Sequence, residues 1–75
     1  MTPEQTRAAR GWLGWPQAKL AEAANVGLST VKAYEAGKRM PIANNLEAIQ
    51  RALEVAGVRF TDDSVSGPLG IKNNQ

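Results

Sequence analysis

Ser29 and Lys32, one helical turn apart, and the adjacent pair Lys38-Arg39 are the residues whose types and spacing suit chemistry in this chain. A hydroxyl, an ammonium and a guanidinium can hold polar or anionic groups by hydrogen bonds and charge without transforming them. Histidine and cysteine are absent, which removes the usual general base near neutral pH and any thiolate ligand or nucleophile. The remaining carboxylates are scattered, so no metal site is expected. Asp62 and Asp63 are adjacent, but no base or ligand accompanies them. The composition therefore points to binding and away from catalysis, with no enzyme activity and no cofactor.

Seventy-five residues form one domain at most. A chain of this length buries about 60% of the surface its unfolded form exposes, so its core is small. Without cysteine no disulfide reinforces that core. The formal net charge of +2 and the pI of about 9.4 are mildly basic and suit an anionic partner. No apolar run approaches the roughly 20 residues of a membrane span. The start Met1-Thr2-Pro3-Glu4-Gln5 has no apolar leader region, and a cytoplasmic location is expected.

Helices must position the polar groups. Thr2 caps a first helix, Pro3 suits its first position and Gln5 completes a capping box. This helix runs to about Leu13, with Ala9 and Leu13 inward, and Gly14 ends it. A second helix begins near Pro16 or Gln17 and ends near Ala24; Leu20, Ala21 and Ala24 form its apolar stripe. Asn25 tolerates the left-handed turn that follows. A third covers Leu28 to about Ala36, with Val31 and Tyr34 inward and Gly37 as its stop. Lys38 to Pro41 is a basic loop. A fourth runs from about Ala43 to Ala56, with the stripe Leu46, Ile49, Leu53 and Ala56. Beyond Gly57, Val58-Arg59-Phe60-Thr61 alternates like a short strand, Asp62 to Pro68 is rich in turn residues, and Leu69 to Lys72 reads as a returning strand. Trp15 is expected to plug the core and Trp12 to pack along its own helix.

Gln17 to Gly37, QAKLAEAANVGLSTVKAYEAG, contains two short helices joined by a tight turn, the plan of a helix-turn-helix. Apolar Leu20, Ala24, Val26, Val31 and Tyr34, small Ala21, the turn residue Asn25 and the stop Gly37 all fall in register. The block resembles the Xre/Cro family of bacterial and phage repressors, the lambda-repressor-like domains. Arg10, Glu35 and Pro41 extend the likeness. It implies a mainly α fold: a four-helix DNA-binding domain over residues 1–57, and an extension over residues 58–75 carrying a short β-hairpin. Two positions depart from the family's habit, Pro16 and Gly27, where capping or polar residues are common.

The resemblance implies a sequence-specific regulator of transcription, expected to repress. Its partner is double-stranded DNA, bound as a homodimer. The second helix of such a motif enters the major groove with its first residues at the base edges. Those are Leu28, Ser29, Lys32 and Ala33. Phosphate contacts are implied at Gln17, Gly27, Thr30, Lys38, Arg39, Asn44 and Asn45, and a structural ion pair between Arg10 and Glu35. No membrane partner and no small-molecule ligand are expected. The alternative is a protein-interaction module, such as the antitoxin of a toxin–antitoxin pair. The tail motivates it, because Val58, Phe60, Leu69 and Ile71 offer apolar strand edges to a protein partner.

Overall fold

A computed structural model of the chain describes residues 1–61 and 65–66. Among them are four helices and a two-stranded ribbon: α1 (Pro3–Leu13), α2 (Gln17–Ala24), α3 (Leu28–Glu35), α4 (Ala43–Val55), β1 (Arg59–Phe60) and β2 (Val65–Ser66).

Local chemistry sets the helix ends. Thr2 Oγ1 accepts from Gln5 N at 3.1 Å while Gln5 Oε1 accepts from Thr2 N at 2.9 Å, the reciprocal capping box. Gly14, at φ 68°, closes α1 in the left-handed region that glycine enters at little cost. Asn25 does the same for α2 at φ 58°, ψ 45°, and is the sole non-glycine at positive φ among the described residues. That single residue reverses the chain between the two helices of the motif.

The core lies where α2 crosses α3 and α4. Leu20, Ala21 and Ala24 of α2 meet Val31 of α3 and Ile49 and Leu53 of α4, with Ala9 of α1 beneath them. Ala21 is small enough for a close helix crossing. Leu20, Val31, Ile49 and Leu53 are fully buried, and each contributes about 1.5–3 kcal/mol relative to an exposed side chain. Trp12, Leu13, Trp15 and Val26 are half-buried and pack around this cluster. Lys19 Nζ stands 5.6 Å from the Trp15 ring centroid. Leu46, read from the sequence as part of the inner stripe, is half-buried.

The ribbon corrects one part of the sequence reading. β1 pairs antiparallel with β2, Arg59 opposite Ser66 and Phe60 opposite Val65. The returning strand therefore starts inside the stretch read as turn; the expected strand at 69–72 lies outside the described residues. Val65 is the reason. It is an apolar residue among polar ones, and it is only 1% exposed. Its burial against α1 draws the chain back early. Val58 joins the same cluster, so the core continues past residue 57.

Candidate nucleic-acid interface

Glu35 organises the inner side of the site. It is the last residue of α3 and only 3% exposed. Arg10 Nε donates to Glu35 Oε2 and Arg10 Nη2 to Glu35 Oε1, both at 2.7 Å, a two-point fork that fixes geometry as well as charge. Arg10 Nη1 also donates to the Trp15 carbonyl at 2.9 Å. The hydrogen bond to Glu35 raises the Arg10 pKa above its ordinary value, burial opposes this, and the carboxylate charge adds to it. Gln17 Nε2 donates to Glu35 Oε1 at 3.0 Å. Arg7 Nη1 donates to the Glu35 carbonyl, placing a cation at the negative end of α3. One residue thus ties α1, the start of α2 and α3 together.

Tyr34, beside it, is fully buried and donates from its hydroxyl to the Met1 carbonyl at 3.1 Å. Burial pushes its pKa up. The Thr6 hydroxyl works the other way, and the charges of Glu4 and Glu35 add to the rise.

The outer side is open. Leu28, Ser29 and Lys32 are exposed, and Thr30 and Ala33 are half-exposed. An open groove of about 370 Å³ runs beside α3. Ser29, Thr30 and Ala33 line it from the helix. Arg39, Met40, Pro41 and Ile42 line it from the connection to α4, with Asn45 from the first turn of α4. The fold therefore brings Ser29, Thr30, Ala33, Arg39 and Asn45 to one concavity. Leu28, Lys32, Gly27 and Asn44 are exposed outside it. Lys38 lines a smaller hollow of about 190 Å³ with Pro3 and Tyr34. Gln17 is half-buried, with one amide proton committed to Glu35 and one left for another acceptor.

The charge balance of this side is one-sided. From Ala23 to Leu46 the sole carboxylate is Glu35, and it is buried against Arg10. Lys32, Lys38 and Arg39 therefore act on solvent without a neighbouring acid in that stretch. The helix starts differ as well. α1 has its capping box, whereas α2, α3 and α4 begin at Pro16, Gly27 and Ile42 with no side-chain cap.

Sequence reasoning missed three contributors: Arg7, Met40 and Ile42. Arg7 lies one turn before Arg10 on α1, so the i, i+3 spacing was the available signal. Met40 and Ile42, 66% and 69% exposed, carry no sequence signal of their side, because an irregular connection has no period. Among the described residues no group of three or more acidic side chains is placed to hold a metal ion. No described helix is long and apolar enough to cross a membrane.

A tight α2–turn–α3 unit, with the first residues of α3 exposed and basic groups around it, defines a helix-turn-helix DNA-binding domain. A family model described as helix-turn-helix matches residues 7–59, and the chain belongs to this Cro/C1-type family of DNA-binding transcriptional regulators. No curated protein matches the chain.

Proposed function

We propose that this protein is a sequence-specific repressor that binds double-stranded DNA as a homodimer, with α3 in the major groove. The observation that carries the reading is the union of an exposed α3 start with Lys32, Lys38 and Arg39, in a stretch whose sole acid is the buried Glu35, inside a helix-turn-helix fold. Leu28, Ser29, Lys32 and Ala33 meet base edges. Ser29 donates to or accepts from several bases, Lys32 reaches guanine acceptors, and Leu28 and Ala33 pack on thymine methyls. Lys38 and Arg39 neutralise phosphates. Gln17, Gly27, Thr30, Asn44 and Asn45 sit at or near the uncapped helix starts, whose N–H groups suit phosphate oxygens. Gln17 gives its second amide proton to the backbone while holding Glu35 with the first. One short α3 supplies few base contacts, so two copies on half-sites about 34–36 Å apart supply the rest.

The test is fluorescence anisotropy at about 0.15 M salt with DNA from upstream of the protein's own gene, competed by random duplex. Binding that survives competition and is lost in the Ser29→Ala/Lys32→Ala double variant supports the reading. Binding that random duplex erases removes sequence-specific recognition of that DNA. Sedimentation of the complex reports whether two chains occupy one duplex.

A further inference from the structure

The groove beside α3 has an apolar side that the assignment of base and phosphate contacts does not use. Met40 and Ile42 are among the most exposed large apolar residues described, with Val55, and both line this groove together with Ala33. Exposed apolar side chains that line one groove rimmed by polar groups suit a contact surface, whereas scattered ones need no explanation. Arg39 and Ser29 line the groove too, and the flanking chain from Ala36 to Leu46 carries no acid. Its charge therefore suits a nucleic-acid strand. On the major-groove edges of DNA, the apolar feature is the C5 methyl of a pyrimidine. α3 itself carries no Arg, Gln or Asn, the side chains that read bases by paired hydrogen bonds, so shape and apolar contact carry more of its discrimination.

We propose that Met40 and Ile42 are specificity-determining residues: with Ala33 they form a pocket for a pyrimidine C5 methyl group. This rests on the DNA-binding reading above and extends it to a surface outside α3. The methyl is carried by thymine or by 5-methylcytosine, and both present the same group to the pocket.

The experiment starts by enriching bound duplexes from a randomised pool with the full chain. In the enriched duplex each thymine is replaced singly by deoxyuridine and each cytosine by 5-methylcytosine, and affinity is measured by anisotropy. Burying one methyl is worth about 0.8 kcal/mol, so affinity is expected to change about fourfold at one or more positions. Loss at a thymine identifies thymine as the source; gain at a cytosine identifies the methylated base. Ile42→Ala and Met40→Ala truncate exposed side chains, so unchanged melting is expected for both. Each is expected to lose methyl sensitivity at the position the pocket reads, while a thymine met by Leu28 keeps its own. Wild-type affinity indifferent to every replacement overturns the proposal, and so does a set of methyl-sensitive positions that is the same in both variants as in wild type. Failure to enrich any sequence overturns the DNA reading itself, and the proposal with it.

Discussion

Gln5 and Thr61 are joined by a hydrogen bond of 2.7 Å from the Gln5 side-chain amide to the Thr61 carbonyl, across a separation of 56 residues. The same Gln5 completes the capping box with Thr2. One side chain thus starts α1 and ties it to the residue after β1. Gln5→Ala removes both interactions and is expected to cost about 1–2 kcal/mol. Gln5→Glu keeps an acceptor for the Thr2 N–H but loses the donor to Thr61. It separates the two roles, and a lowered melting temperature is expected. Thermal denaturation of both variants reads the result; a Gln5→Glu chain that melts like wild type would assign the whole effect to the cap.

Arg10→Ala leaves the Glu35 carboxylate buried with Gln17 as its remaining side-chain donor. Breaking a buried pair by removing one partner costs about 3–5 kcal/mol. Small domains have about 5–15 kcal/mol in total, so urea denaturation should show a large fall in midpoint. Replacing both partners with Met is expected to cost less than Arg10→Ala alone, because no charge is then stranded. Equal losses in the single and double variants would remove this account.

Tyr34 makes stability depend on alkaline pH. Its pKa in the folded chain lies above the ordinary 10.0, chiefly through burial. A group raised above its unfolded value gives its full contribution below the unfolded pKa and loses it as pH rises through the folded one. Stability should therefore be level in this respect below about pH 10 and fall above it. Tyr34→Phe is expected to flatten that fall and to cost about 0.5–1.5 kcal/mol at neutral pH through the lost bond to Met1. Urea titrations across the alkaline range measure both effects.

Salt dependence separates charge from reading. Each phosphate neutralised contributes about −0.9 to the slope of log affinity against log salt. Lys38→Gln and Arg39→Gln should each make the slope shallower by about that amount per chain. Ser29→Ala should lower affinity for the preferred sequence and leave the slope unchanged. A slope unmoved by Lys38→Gln would take that residue off the DNA backbone.

Gly27→Ser should stabilise the free protein. Gly27 sits at φ −68°, ψ 146°, where any residue is at ease. An added Cβ meets Thr30 Oγ1 at 3.7 Å and Ser29 Oγ at 3.8 Å, ordinary contact distances. A serine there restricts the unfolded chain and offers α3 a cap, together worth about 0.5–1 kcal/mol. A lower melting temperature for Gly27→Ser would contradict this.

The helical part of the fold was legible because each end has local chemistry: Thr2 with Gln5, Gly14, Asn25 and Gly37 mark boundaries within a few residues of sequence. The fold also meets the mainly α, four-helix expectation. The second strand was not legible, since a two-residue strand has no period to detect. Val65 is placed by burial against α1, a contact distant along the chain. The interface divides in the same way. Exposed Ser29 and Lys32 follow from the inward spacing of Val31 and Tyr34. The inward turn of the Gln17 amide toward Glu35 and the groove side formed by Met40 and Ile42 depend on how separate elements meet.

The contrast between one capped helix and three uncapped ones has a kinetic consequence. Backbone protons in the first turns of α2, α3 and α4 lack a side-chain acceptor in the free protein, so these turns are expected to exchange with solvent more readily than the start of α1. A bound phosphodiester would supply the missing acceptors. The ends left loose by Pro16, Gly27 and Ile42 are then the segments whose hydrogen exchange slows on binding, and ordering them draws on part of the free energy of association.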